Sequence, residues 1–243
     1  MGVPTLGCHC AVCESTDPHD KRTRASALLS WGGHNVVIDT TPDFRFQALR
    51  AKIDRLDAVI YTHAHADHIM GLDDIRPYNF HQRASIPLYG SKDTLARLRE
   101  QFAYVFREVP VGATVPGVEL HEIDGPLCLH GLEIVPIPAM HGPSQVLGFR
   151  IDNVAYLTDF SAVPESSKPL LHGLDILVLS ALRDTPHVMH STVANSLALV
   201  EELKPKRAWF THIAHELGHA ATNARFPEHV RLAYDGLRFE VRD

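Results

Sequence analysis

The stretch Leu56–His68, LDAVIYTHAHADH, decides how the rest of the chain is read. In its first half, Leu56–Tyr61 is an apolar run with β-branched residues, and Leu56–Thr62 reads as a strand. Its second half places four potential metal ligands, His63, His65, Asp67 and His68, within six positions where the strand ends and a helix begins. His63 and His65, two apart in extended chain, point the same way. Asp67 and His68, past the turn, face a neighbouring point. One segment can therefore feed two adjacent metal ions.

Two ions need more ligands, and three other strand ends offer them. His141 follows the apolar run Leu132–Pro138, Asp159 follows Val154–Thr158, and His212 follows Lys206–Thr211. The chain has 17 histidines, more than its glycines, prolines or phenylalanines, so placement rather than abundance selects these.

Composition narrows the function classes. The chain has 243 residues, 45% hydrophobic and 21% charged, with no linker or repeat that separates domains, and reads as a single domain over residues 1–243. No apolar run reaches the ~18 residues of a membrane span, and no charged segment with an apolar signal core opens the chain. A soluble, cytoplasmic protein without a membrane partner is expected. The net charge is −6 and no Lys/Arg block stands out, which argues against a long nucleic acid as partner but not against a small phosphate ester.

Patterning alternates short strands with helices. A hairpin is expected at Ala27–Trp31 and Val36–Asp39 around Gly32-Gly33, then a helix over Pro42–Lys52 and a helical start after Asp67 running toward Phe80. Pro87–Gly90 reads as a strand, followed by a Ser91-capped helix to Phe102 and a Pro/Gly-rich connection, Val109–Gly117. Strands follow at Val118–Ile123, Leu132–Pro138, Val146–Ile151 and Val154–Thr158, with Asp175–Ser180 buried on both faces. Ser191–Leu203 is a helix presenting Val193, Leu197, Val200 and Leu203 on one face. Lys206–Thr211, His229–Tyr234 and Leu237–Val241 are the last expected strands. The class is α/β with two layered sheets.

Cysteine usage is lopsided. Gly7–Glu14, GCHCAVCE, holds Cys8, Cys10 and Cys13, three of the four cysteines in the chain. A metal would want a fourth ligand, for which His9 is a local candidate, and a disulfide would strand one thiol. Cys128, in Leu-Cys-Leu, is expected in the core.

The His-x-His-x-Asp-His segment with His141, Asp159 and His212 resembles the metallo-β-lactamase superfamily over about Gly2 to Val241. The resemblance implies an αββα four-layer sandwich, with His63, His65 and His141 on one metal, Asp67, His68 and His212 on a second, and Asp159 bridging. Asp67 is also counted among the catalytic residues, and Asp39 falls where the superfamily places a carboxylate that orients a ligand histidine. A turn-forming role is the other reading of Asp39. Such a pair of divalent ions, Zn or Mn, makes a shared water hydroxide-like at neutral pH and neutralises an anionic substrate.

The cysteine loop narrows the resemblance. It is similar to the PhnP group of cyclic-phosphate phosphodiesterases, in which a Cys-x-Cys-x2-Cys loop and a distant histidine hold a structural zinc. On that pattern His215, three residues after His212, is the fourth ligand. The implied activity is hydrolysis of a small, cyclic phosphate ester such as 5-phosphoribosyl 1,2-cyclic phosphate, and a homodimer is allowed. Relatives begin with a strand and turn ahead of Gly-Val-Pro, so the first strand is expected to be missing here. Arg76 and Tyr78 are candidate contacts to the substrate phosphate, with surface roles as the alternative.

An alkoxide leaving group needs a proton that the seven ligands are not placed to supply. His190, just before the Ser191 helix, stands where the resembling phosphodiesterases carry a general acid, with His187 as a competitor. Alternative functions are a carrier role like that suggested for PQQ-biosynthesis protein B, a tRNA 3′-end endonuclease, or a thioesterase.

Overall fold

In a computed structural model, residues 2–108 and 111–241 are described. The chain divides into two compact units, Arg24–Gly125 on one side and Met1–Thr23 with Pro126–Asp243 on the other. The class is mixed α/β with two sheets and helices, as the sequence predicts.

The unit Arg24–Gly125 is built on five strands in the order β1 (Ala27–Trp31), β2 (His34–Ile38), β3 (Ala58–Ile60), β4 (Ile86–Gly90) and β5 (Val118–Glu122). The β1–β2 hairpin closes through Gly32 and Gly33, both at positive φ, as a two-residue turn matched to strand twist requires. The remaining pairings are parallel, bridged by α1 (Phe44–Ala51), α2 (Ala66–Ile69), α3 (Arg76–Gln82) and α4 (Lys92–Gln101). Ser91 caps α4 by accepting from the Thr94 amide, as expected. Val59, Leu88, Ile69, Leu72 and Tyr61 lie in its apolar core.

Two expectations change here. The strand expected over Leu56–Thr62 contracts to Ala58–Ile60, because the Thr62 amide leaves the ladder and donates to the Asp39 carboxylate at 2.9 Å. The helical segment after Asp67 breaks into α2, a 3-10 turn at Leu72–Ile75, and α3. Gly71 stands at the break. A β-carbon there would collide with the Thr41 carbonyl oxygen, so two backbone segments meet at a distance only glycine permits.

The second unit carries seven strands: β6 (Leu127–Leu129), β7 (Leu132–His141), β8 (Ser144–Ile151), β9 (Val154–Leu157), β10 (Ile176–Ser180), β11 (Arg207–Thr211) and β12 (Val230–Leu232). They lie in the reverse of chain order, β12 to β6; β6–β9 form an antiparallel meander and β9–β12 are parallel. All five residues of β10 are buried, as its unbroken apolar run predicts. α5 (Val193–Leu203) connects β10 to β11, and α6 (His219–Asn223) follows β11.

Several readings are corrected in this unit. Cys128 is exposed, not core, because β6 is a strand that the sequence reading did not foresee and its period-two alternation turns Leu129 inward and Cys128 outward. The helix expected over Ser191–Leu203 begins at Val193, and Thr192 caps it by accepting from the Asn195 amide. The buried face of α5 is Val193, Ser196, Leu199, Val200 and Leu203, with Leu197 at its margin. Leu237–Val241 is not a strand. Of the Val109–Gly117 connection, Val109 and Pro110 lie outside the described residues.

Candidate metal centre

Within the unit Arg24–Gly125, one buried carboxylate organises the histidine segment. Asp39 follows β2 at φ 66° and is fully buried. Its Oδ2 lies 2.7 Å from His68 Nδ1 and accepts from Thr62 Oγ1 at 2.8 Å, while Oδ1 accepts from the Thr62 amide. An ionised carboxylate only accepts, so His68 carries its proton on Nδ1 and presents the lone pair of Nε2. Thr62 Oγ1 has spent its only hydrogen on Asp39, and His63 Nδ1 lies 3.0 Å away, so His63 must donate to it. His63 therefore also presents Nε2. A single carboxylate thus sets the tautomers of two of the histidines.

The rings of His63 and His68 lie 4.2 Å apart and those of His63 and His65 4.5 Å apart, centroid to centroid. His65 is the cap residue of α2 and Asp67 lies in its first turn. The four side chains fit divalent metal on chemistry alone, with two histidines held in the ligating tautomer, His63 just past β3 and His68 within α2. Asp39→Ala should weaken metal binding about 10–100-fold, the usual cost of losing a carboxylate behind a ligand histidine. Chelator competition would measure it, and unchanged affinity would remove Asp39 from the site.

In the other unit, His141 is the last residue of β7, Asp159 lies two residues past β9, and His212 directly follows β11. Asp159 and His212 adopt positive φ, 53° and 51°, as Asp39 does. Left-handed backbone at a non-glycine residue costs on the order of 1–3 kcal/mol and collects at functional sites; Asp and His tolerate it better than most. His212 Nδ1 lies 2.9 Å from Asp159 Oδ1, and His190 Nδ1 lies 3.4 Å from the same oxygen. The His190 ring stacks on His212 at 5.3 Å and meets His141 edge-on at 4.7 Å. Asp159, His190 and His212 are themselves close enough to share an ion, which makes a ligand role the competitor to an acid role for His190.

Ser161 staples this arrangement. Its Oγ accepts from the Gly142 amide and donates to the Met140 carbonyl, each at 3.0 Å, so it grips both neighbours of His141 from two residues past Asp159. His187, the competitor to His190, is exposed and its Nδ1 accepts from the Met189 amide at 3.1 Å.

The cysteine loop finds its distant partner in the same unit. Cys8 Sγ and Cys10 Sγ lie 3.3 and 3.4 Å from His215 Nδ1, and the ligand atoms of Cys8, Cys10, Cys13 and His215 all gather within 4.8 Å of one another. Tetrahedral Cys3His zinc, with bonds of about 2.3 Å to sulfur and 2.0–2.1 Å to nitrogen, sets ligand edges of roughly 3.5–3.8 Å. The cluster fits it. His9 is turned away, exposed and 3.0 Å from Glu14, which removes it as fourth ligand. The Cys13 amide, donating to Cys10 Sγ, and next His215 bring the Cys10 thiol down to about 6. At Cys8 a backbone hydrogen bond favours the thiolate, but the neighbouring sulfurs and desolvation outweigh it and raise the thiol.

Cys10→Ser should remove about one metal equivalent by elemental analysis and lower the melting temperature. Losing as little as about 3 kcal/mol would cost about 6–12 °C at this chain length. Lower stability with unchanged metal content would show that the loop holds no metal.

Arg76 and Tyr78 both lie on α3. Arg76 Nη1 donates to the Thr114 carbonyl and Nη2 lies 3.6 Å from Asp73, while the Tyr78 hydroxyl donates to the Ile53 carbonyl at 2.9 Å. These contacts tie loops of their own unit. Three residues escaped the sequence reading. Thr62 and Ser161 are ordinary polar residues, although the repeated Thr62-His63, Thr158-Asp159 and Thr211-His212 pairs were a usable signal for the first. Arg22 is the third. Buried and 2.9 Å from Asp20, it donates to the Ala214 and Leu217 carbonyls, on both sides of His215.

The comparisons with known proteins agree with this geometry. The family described as a β-lactamase superfamily domain matches residues 34–213. A crystal structure described as a new diphosphatase from the PhnP family superposes with a TM-score of 0.93 at 47% identity, covering 100% of this chain and 94% of that one. The chain belongs to the PhnP family of the metallo-β-lactamase superfamily. It is also 37% identical over 241 residues to a protein of Porphyromonas gingivalis named octanoyltransferase, a match covering 97% of this chain and 48% of that protein. A ribonuclease Z of a Mycobacterium species is 27% identical over 152 residues, 56% of this chain and 53% of that one. The chain thus matches only about half the length of these curated relatives. The metallo-β-lactamase fold implies divalent metal ions, and the His/Asp clusters of this PhnP-family chain are consistent with them.

Proposed function

We propose that this PhnP-family chain is a metal-dependent phosphodiesterase acting on a small, cyclic phosphate ester, 5-phosphoribosyl 1,2-cyclic phosphate being the type. The observation that carries the reading is the 47% identity to a PhnP-family diphosphatase across the whole chain, together with every ligand position filled. The proposed ligands are His63, His65, Asp67 and His68 from one unit and His141, Asp159 and His212 from the other, holding two ions of zinc or manganese. When bound, such ions activate water and neutralise the phosphate. A third, structural zinc is proposed for Cys8, Cys10, Cys13 and His215, in a reducing, cytoplasmic setting that keeps the thiols free.

The chain's own residues supply the rest. Asp39 holds His68 and, through Thr62, His63 in the ligating tautomer. His190 turns Nδ1 toward Asp159, and its Nε2 carries the proton to the leaving oxygen. The PhnP-family relative's description as a diphosphatase adds phosphoanhydrides to the substrates worth assaying. No basic arm long enough to grip tRNA is visible in the sequence, and a complete ligand set is hard to reconcile with a carrier that does no chemistry.

A second reading, hydrolysis of an acyl thioester, has one observation behind it, the relative named octanoyltransferase. One panel separates the two. The Mn2+-loaded protein is assayed on bis-p-nitrophenyl phosphate, a 2′,3′-cyclic nucleotide, the ribosyl cyclic phosphate, a nucleoside diphosphate, octanoyl-CoA and a β-lactam. Turnover of the phosphodiesters is expected. Turnover of octanoyl-CoA alone, with none of the phosphate compounds cleaved, would replace the phosphodiesterase reading with the thioesterase one.

A further inference from the structure

His190 sits in the connection from β10 to α5, a stretch without regular structure, yet it must hold one ring nitrogen in place. On its C-terminal side the anchor is main chain: the Ser191 amide donates to the Phe160 carbonyl at 2.7 Å, and the Leu182 amide donates back to the Ser191 carbonyl at 3.0 Å. On its N-terminal side the anchor is a side chain. The Met189 thioether lies over Gly142, at the tip of the β7–β8 hairpin that ends in His141, so closely that a β-carbon on Gly142 would collide with the sulfur and lie 2.8 Å from Cε. Gly142 itself is at φ +58° and has its amide held by Ser161. The Met189 amide is bound in turn to His187 Nδ1.

We propose that Met189 is a positioning residue for His190, its thioether seated on Gly142 so that the imidazole is held between His141 and His212 with Nδ1 on Asp159. The proposal rests on the general-acid reading of His190 for its kinetic consequence but not for its geometry. A thioether suits this position because it is unbranched and polarizable and fills an irregular hollow that a glycine leaves open. Without it, only the exposed His187, among the described residues, holds the residue before His190. Misplacing a catalytic group by about 1 Å can cost about 10²-fold.

The test uses the metal-loaded protein and the variants Met189→Ala, Met189→Leu, His190→Ala and the double variant Met189→Ala/His190→Ala. Met189→Ala should lose about 10- to 100-fold in kcat on a 2′,3′-cyclic nucleotide, whose alkoxide needs a proton, and stay within about threefold on bis-p-nitrophenyl phosphate, with metal content unchanged. Met189→Leu, which refills the hollow, should restore most of the loss. The double variant should be no slower than His190→Ala, because a residue acting through another adds nothing once that one is gone. Equal losses on both substrates, no loss on either, or additive losses would overturn the proposal. If His190→Ala shows no substrate selectivity, the acid reading fails and the positioning claim is then decided by nitrogen-15 histidine spectra. The His190 imidazole signals should shift in Met189→Ala and return in Met189→Leu; signals that do not move would sink it.

Discussion

Asp159→Ala should leave a folded protein that hydrolyses nothing measurable, a loss of about four orders of magnitude or more on every phosphodiester tried. The carboxylate is buried, held at positive φ, and lies 2.9 Å from His212 and 3.4 Å from His190, so its removal reaches the ligand set and the proposed acid together. Lowering the pKa of bound water toward neutrality is what the proposed metal pair would contribute, and losing Asp159 would remove a ligand shared between the two ions. Metal held at the proposed sulfur site should stay, because Cys8, Cys10, Cys13 and His215 make their own cluster. Elemental analysis should therefore show metal lost from the His/Asp ligands with one equivalent retained. The left-handed φ adds a check on folding: alanine tolerates that conformation poorly, so Asp159→Asn, which tolerates it well, should be equally inactive with a melting temperature nearer to the parent's. Wild-type turnover in either variant would end the two-metal reading.

His190→Ala should cost about 10²–10⁴-fold on a cyclic nucleotide or ribosyl cyclic phosphate. It should leave bis-p-nitrophenyl phosphate almost untouched, because nitrophenolate departs without a proton. The contrast between substrates carries the inference. Stacked on His212 and edge-on to His141, His190 is near enough to these proposed ligands that looser metal is the competing consequence of its loss. Loose metal would slow both substrates alike and lower metal content. A selective loss with full metal content assigns a proton donor; a uniform loss with depleted metal assigns His190 to the trio with Asp159 and His212 as a ligand.

Local chemistry was legible from residue identity and spacing. Leu56–His68 carries strand, turn and four candidate ligands in one contiguous run, so period and residue identity suffice, and the strand ends at His141, Asp159 and His212 were marked by apolar runs stopping at a polar residue. The fully buried β10 was legible for the same reason, as an unbroken apolar run admits few other placements. Short, weakly patterned pieces were not: β6 has three residues, too few to display an alternation, and so Cys128 was set in the core although it faces outward.

Pairings between residues far apart in the chain emerge only on folding. Asp39 and His68 stand 29 positions apart and meet because β2 and β3 are neighbours in a parallel sheet. Cys8 and His215 stand 207 positions apart, and the resemblance named His215 while His9, the choice that proximity in the chain favours, turned to Glu14. Arg22 reads from the sequence as one cation among 23, and becomes a buried clamp on Ala214 and Leu217 only once the chain is folded. The reason is common to all three. Residue type and spacing report what a side chain can bond, whereas the partner it does bond depends on strand order and on which backbone carbonyls and carboxylates that order buries beside it.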